Sequence, residues 1–504
     1  MLTTAAVLAY RGDARRAVFV TRVASVVALA AATAAAVALA IYGPVTSPLA
    51  GIGGLGFAFR IDPLSVFLFL LIAFVGHLIV EYSRNYLAGN ERQAAFFGHL
   101  ALTVAAALLM TSSGNLFQLV AGWVAMSLAL HLLLVFCGDR PRARVAAKKK
   151  FIVARIGDVS LAVAAFLLWK TFGTGDIATI LADARAASAA GVGPSVGIAT
   201  LLIAFAAILK SAQFPAHGWI IEVMETPTPV SALLHAGIVN AGGFLVFRFA
   251  DVMVLSSASM QMLAVVGGFT ALFGSLVMTT QSSIKVSLAY STVAQMGFML
   301  MQCGFGAFSS AALHLVAHSL YKAHSFLASG TAVDDVSTFA AVADAPRVGM
   351  AGLLASLVIA LAIFTGVGTL FDHDITATLA VQTLGAIYIM GLLVFLGKGA
   401  GSGALLLRVV PVAAVAAGLY FALQVGAARF FGAQVPPIPA PGVADQAIAG
   451  VVVAGFAALT LLQLVPAPDR SRWFRAAWVH VNNGLYANAV FSRLTGAFRR
   501  DIAR

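Results

Sequence analysis

The chain has 504 residues, of which 61% are hydrophobic and only 10% charged, with a mean hydropathy of +0.96. A soluble globular surface carries about 25% charged residues, so this composition excludes a water-soluble enzyme and sets most side chains against lipid or other helices. The 31 Lys and Arg against 19 Asp and Glu suit the basic cytoplasmic loops of a membrane protein better than a nucleic-acid binder.

About twenty apolar residues cross a bilayer as helix. Counted this way, the chain predicts an all-α, polytopic membrane fold with about fourteen spans. They lie near 18–42, 61–80, 94–112, 115–137, 151–169, 196–211, 228–250, 260–280, 286–304, 307–330, 348–371, 376–397, 403–425 and 446–466. A shorter piece, about 216–225, sits between the sixth and seventh. The first run is too long for a signal-peptide core and lacks a convincing cleavage site, so it is read as the first span. After it, Gly51, Gly53 and Gly56 spell G-x-G-x-x-G. A dinucleotide site needs a preceding strand and a soluble βαβ unit, whereas these glycines fall in an outer loop between two spans.

An ionised side chain at the membrane centre costs about 2.5–3.5 kcal/mol on insertion scales, so charges inside apolar runs mark function. In the fifth run Arg155 and Asp158 form an i, i+3 pair; they either neutralise each other or leave Asp158 for Lys210 on a neighbouring helix. Lys210 ends the sixth run five residues before Pro215, which breaks the helix near 211–215. A broken helix lines a cavity and holds ions, although a lysine at a helix end also snorkels to water. Glu222 and Glu225 follow, placed to admit cations at the cytoplasmic mouth or to cap the next helix. His235, in the seventh run, is a proton carrier near neutral pH or a core histidine.

His314, His318 and Lys322 recur at four-residue spacing, so they share one helix face as a ladder about 12 Å long. No carboxylate or thiol completes a zinc set around His314 and His318, which favours a proton relay. Cys137 and Cys303 match no metal spacing and read as small buried residues. The C-terminal stretch 467–504 mixes Trp473, Phe474, Trp478, Tyr486 and Phe491 with Arg475, Asn482, Asn483 and Arg493. It reads as an amphipathic segment on the membrane surface or against a partner, the lipid surface being favoured.

With a cytoplasmic N-terminus, alternate loops are basic. Twenty-two Lys and Arg fall on one side, six of them in Arg140–Lys150, and five on the other: Arg60, Lys170, Arg185, Arg248 and Arg429. That asymmetry places both termini in the cytoplasm, with the body 1–466 as one transmembrane domain in a bacterial inner membrane.

The stretch from Lys210 to Trp219, the Met224–Ala236 stretch around Pro227 and Pro229, Ile284–Gly297 and the His314–Lys322 ladder resemble the antiporter-like membrane subunits of respiratory complex I and of multisubunit cation/proton antiporters. The resemblance runs over roughly 60–345. It implies that Lys210, His235, His314, His318 and Lys322 carry protons, with Asp158, Glu222, Glu225, His131 and Lys285 alongside. The family glutamate after a tryptophan is absent: Val124 follows Trp123, and His131, seven residues on, is the nearest ionisable substitute. A lysine–acid motif expected in the 348–371 region is also missing, and Asp372-His-Asp374 follows it. These departures, Glu222–Pro229 and the tail Trp478–Tyr486 resemble one branch, the membrane subunits of Dab-type inorganic carbon pumps. That branch implies a non-enzymatic transporter subunit with no cofactor or metal of its own. Its soluble partner, DabA, would be a zinc-bearing, carbonic-anhydrase-like subunit that hydrates CO₂ to bicarbonate, driven by H⁺ or Na⁺ flow. The competing readings are a Na⁺/H⁺ antiporter or complex I-like subunit, and a plain membrane anchor, which needs no buried Lys–His ladder.

Overall fold

The computed structural model describes residues 13–137, 141–187, 193–330, 349–371, 377–399, 403–464 and 472–494. Helix occupies each of the fourteen predicted runs, in the order α1 (Ala14–Tyr42), α2 (Pro63–Tyr86), α3 (Gln93–Thr111), α4 (Leu116–Leu134), α5 (Pro141–Phe172), then α6 (Ile177–Ala187), α7 (Pro194–Lys210) and α8 (Gly218–Glu222). There follow α9 (Thr228–Ala236), α10 (Ala241–Arg248), α11 (Ala250–Met253), α12 (Ser257–Met278), α13 (Ile284–Gly304) and α14 (Phe308–Leu327). The chain then runs through α15 (Met350–Leu370), α16 (Leu379–Gly399), α17 (Gly403–Phe431), α18 (Val443–Leu464), α19 (Arg472–Asn482) and α20 (Ala487–Leu494). Among the described residues, eleven of these elements are long and apolar enough to cross a membrane, counting α9 and α10 as one. Of the other three predicted runs, α7 has 17 residues, while polar side chains dilute α13 and α14.

Three expectations change. The basic Arg140–Lys150 stretch is no loop: from Pro141 it is the first turns of α5, which proline at a first helical position favours. The seventh run is not one straight helix; it breaks at Gly237 into the 3₁₀ turn Ile238–Asn240 before α10 resumes. The outer loop with the three glycines is a small β-ribbon. There β1 (Val45–Thr46) pairs with β4 (Arg60–Ile61), and β2 (Ala50–Ile52) pairs with β3 (Leu55–Phe57), both antiparallel. Gly53 and Gly54 both take positive φ at the two-residue turn, as such hairpins require. Gly51 faces Gly56 so closely that a Cβ on either would meet backbone within 2.6 Å. The glycines serve a hairpin and no nucleotide.

The broken α9–α10 element lies at the centre, with 94% of its apolar stretch buried, against 17% for α1, α17 and α18 at the periphery. Non-helical backbone at membrane depth is tolerated only when protein covers it, and here Ile238, Val239 and Asn240 are all buried.

The molecule has two opposite ends. At one, Arg22 pairs with Glu81, Arg92 donates to the Phe136 carbonyl and Gln281 donates to the Asn482 carbonyl. The start of α1, the α2–α3 and α12–α13 connections and the tail therefore share a face, and this is the face rich in Lys and Arg. At the other, Asp62 pairs with Arg60 and Arg248 and Arg185 with Asp251 at 2.7 Å. Arg248, assigned to an outer loop by charge counting, is buried there inside the ion pair.

Candidate functional site

Two clusters of buried polar side chains meet at the broken helices. The first surrounds Lys210. Helix α7 ends on it, and the chain turns through Ala212, held at φ +50°, before the short α8. Lys210 is 8% exposed, so it does not snorkel. Its ammonium donates to Ser127 Oγ at 2.7 Å and lies 4.2 Å from the centre of the Trp123 ring, a cation–π distance. Lys150 donates to the Ser127 carbonyl at 2.6 Å, so one serine of α4 holds two ammonium groups. Asp158 pairs with Arg155, and Lys210 and Lys150 lie within electrostatic range of it. Between Lys150, Lys210 and Trp219 lies a cavity of about 20 Å³, enough for one water. His131 is half-buried and 5.1 Å from the Phe151 ring. Lys210 bonds to Ser127, one turn before His131 on α4.

The second cluster fills the space between α9, α13 and α14. His235 is fully buried, shares a hydrogen bond with Thr292 Oγ1 at 3.0 Å and stacks on Phe326 at 4.4 Å. Lys322 is buried and donates to Ser291 Oγ at 2.8 Å and to the Leu288 carbonyl at 3.2 Å. His318 is buried, and among the described residues neither of its ring nitrogens is bonded, while His314, half-buried, bonds through Nδ1 to Gln302 Oε1 at 3.1 Å. The two imidazoles are 6.4 Å apart, and His314, Lys322 and His235 all lie within electrostatic range of His318. The ladder therefore faces inward as one surface, and His235 joins it from another helix. Among the described residues no three His, Cys, Asp or Glu side chains gather as a metal set.

The turns after α7 and inside α9–α10 join the clusters. Ser211 Oγ donates to the Val239 carbonyl at 2.9 Å, and the adjacent Asn240 donates through Nδ2 to Ser319 Oγ at 2.7 Å, beside His318. Gly242 makes this approach possible, since a Cβ there would lie 2.2 Å from Ser211 Oγ and 2.5 Å from the Ala207 carbonyl.

The remaining expected residues sit at the basic end. Glu222 is ion-paired to the buried Lys149 at 2.5 Å, and Lys285 donates to Thr228 Oγ1 at 3.2 Å, tying α13 to the first residue of α9. The side chains of Glu225 and Cys137, and residues Asp372–Asp374, lie outside the described set; Cys303 is a buried free thiol. The tail does not simply lie on a lipid surface: Asn488 of α20 bonds to both Lys149 and Glu222. Ser127, Lys149, Lys150, Asn240, Ser291, Thr292 and Asn488 carry much of this geometry yet were not singled out from the sequence. The available signals were slight: alanines before and phenylalanine after the lysine run, and one asparagine between glycines in an apolar stretch.

The NADH:quinone oxidoreductase/Mrp antiporter transmembrane family model matches residues 113–372, and the model for the N-terminus of complex I NADH-ubiquinone oxidoreductase chain 5 matches 51–97. A Halothiobacillus neapolitanus protein described as "Probable inorganic carbon transporter subunit DabB2" is 38% identical over 89% of this chain and 82% of its own length. The DabB protein of Hydrogenovibrio crunogenus, described in the same terms, is 42% identical over 54% of this chain and 53% of its own. NADH-quinone oxidoreductase subunit L of Mycobacterium tuberculosis is 41% identical over 56% of this chain and 44% of its own; for these two relatives, the match spans about half of their length. The solved Mrp complex from a Dietzia species contains a chain that superposes with a TM-score of 0.58 at 22% identity, covering all of this chain and 57% of that one. That likeness establishes the fold.

Proposed function

Because this chain belongs to the NADH:quinone oxidoreductase/Mrp antiporter membrane family, on the branch of the DabB inorganic carbon transporter subunits, we propose that it conducts protons to power inorganic carbon uptake. One observation carries the reading: a line of buried ionisable and hydroxyl side chains runs from Lys149 and Lys150 through Ser127, Lys210, Ser211 and Asn240 to Ser319, His318, Lys322 and His235. Charges buried at membrane depth are costly, so those lying along a connected line rather than in a closed ion pair favour an ion path. Lysine changes charge readily when buried, and imidazole near neutrality, so proton transfer between them needs no large free-energy step. Na⁺ would instead need a cage of oxygen ligands, and lysines and histidines supply none.

In this reading the chemistry on carbon belongs to a soluble partner of the DabA kind, a zinc-bearing, carbonic-anhydrase-like subunit docked on the basic, cytoplasmic end. That partner turns CO₂ and water into bicarbonate and a proton, and proton flow through this chain drives the reaction forward. The relatives favour carbon transport over a respiratory or Na⁺/H⁺ antiporter role: the alignment to DabB2 extends over 89% of the chain, that to subunit L over 56%.

Co-expression with the partner in a carbonic-anhydrase-deficient host tests it. The pair should restore growth in air and labelled bicarbonate accumulation, and neither protein alone should. Lys210→Ala and Lys210→Arg should both abolish accumulation with assembly intact, because arginine holds its proton permanently. Full uptake by Lys210→Arg would reduce the lysine to a fixed charge; rescue by the partner alone would remove this chain from the mechanism.

A further inference from the structure

The geometry points to Asn488, in the C-terminal segment, as a positioning residue that orients the Glu222 carboxylate at the basic-end mouth of the proton path. This deepens the proton-path reading above and rests on it.

Three polar groups from three distant parts of the chain close a ring. Lys149 Nζ donates to Glu222 Oε1 at 2.5 Å and to Asn488 Oδ1 at 3.2 Å, and Asn488 Nδ2 donates to the same Glu222 Oε1 at 3.0 Å. Both donors thus fall on one carboxylate oxygen. The other, Glu222 Oε2, is buried and has no hydrogen-bond partner among the described residues. A buried charged acceptor left bare is costly, so such an atom calls for an explanation. An oxygen that receives a proton in transit is one. The ring keeps Oε2 as that atom, because Lys149 and Asn488 both occupy Oε1. Lys149 is fully buried while Glu222 keeps 21% of its side chain exposed, so the carboxylate stands at the boundary between the basic-end surface and the interior. The next residue after Lys149 is Lys150, which meets Lys210 at Ser127.

Gln281 Nε2 ties the tail to the α12–α13 connection by donating to the Asn482 carbonyl at 3.1 Å, while Ser492, buried, donates within α20 to the Asn488 carbonyl at 2.7 Å. Gly218, which opens α8, leaves Asn488 its place: a Cβ there would lie 1.9 Å from Asn488 Oδ1. An amide does not titrate and so carries no proton itself. Its effect runs through Glu222.

The test reconstitutes the intact chain, assembled with its partner subunit, in proteoliposomes and records proton flux with an internal pH dye. Infrared difference spectra on acidification record the Glu222 carboxyl stretch, identified as the band missing in Glu222→Gln. Asn488→Ala should slow flux roughly tenfold, the worth of about one hydrogen bond to a charged group, and should shift that band. Gly218→Ala, which displaces Asn488 without removing it, should do the same. In the Glu222→Gln background neither change should have a further effect. Wild-type flux in Asn488→Ala, an unshifted carboxyl band, or additive losses with Glu222→Gln would each overturn the assignment; a lower melting temperature with the band unmoved would make Asn488 merely structural. Lys210→Ala separates the two readings. If it conducts normally, the proton path itself is wrong. If it is dead while Asn488→Ala is normal, only the positioning role falls.

Discussion

Ser127 stands between two ammonium groups, giving its hydroxyl to Lys210 and its carbonyl to Lys150. A hydrogen bond to a charged group is worth about 1.5–3 kcal/mol, and roughly 1.4 kcal/mol is tenfold in a rate. Ser127→Ala should therefore lower proton-coupled carbon uptake at least tenfold while leaving membrane insertion unchanged, and Ser127→Thr, which keeps the hydroxyl, should retain most of it. Uptake measured in cells with equal amounts of protein decides this; an active Ser127→Ala would mean the Lys210 ammonium finds another acceptor. Nothing in the sequence distinguished Ser127 from other serines in apolar runs, because its importance arises from two lysines on α5 and α7. Lys210 itself was legible, since a lysine five residues before a proline at the end of an apolar run is rare and costly.

At the end opposite the tail, the start of α2 and the end of α10 are fastened together. Asp62 caps α2, accepting from the Ser65 backbone at 2.8 Å, and also takes Arg60 Nε at 2.6 Å and Arg248 at 2.5 Å. Burial pushes the Asp62 carboxyl up, but the Arg248 charge and hydrogen bonds and the Arg60 charge outweigh it and hold it below the usual carboxylate range. A depressed carboxylate contributes stability that is fully present above its unfolded value of about 3.9 and is lost only as pH falls through the lower folded value. The clasp should thus be insensitive to pH between about 5 and 8. Breaking a buried pair on one side costs about 3–5 kcal/mol because the partner is left uncompensated. Asp62→Asn should lower the melting temperature of the detergent-purified protein, and adding Arg248→Met should recover part of the loss. No recovery in the double variant would show that the Arg60 pair, rather than the Arg248 pair, does the fastening. Charge counting had set Arg248 on the outer side without a partner, because a count by chain position does not register that the residue turns inward to meet Asp62, 186 positions away.

The end-to-end asymmetry of charge predicts orientation. Reporter fusions at Asn90, in the α2–α3 connection, and at Arg504 should both report the cytoplasm, and one at Gly173, after α5, should report the opposite side. Disagreement between Asn90 and Arg504 would mean that the number of crossings between them is odd. Hydropathy was enough to find helix at all fourteen runs, because lipid demands long apolar stretches whose backbone bonds close within the segment. Proline likewise announced the break after Lys210, and four-residue spacing put His314, His318 and Lys322 on one face, since both are properties of a single helix. The rest depended on contacts between distant segments. Lys149 and Lys150 looked like a cytoplasmic loop until α5 was seen to carry them inward to Glu222 and Ser127. The second break, at Gly237–Asn240, lay hidden in an apolar run because its freed backbone is covered by neighbouring helices. Ser127, one turn before His131 on α4, was not marked by spacing as the partner of Lys210. Local spacing governs what one helix presents; which buried charge finds which partner is set by the packing of helices far apart in the chain.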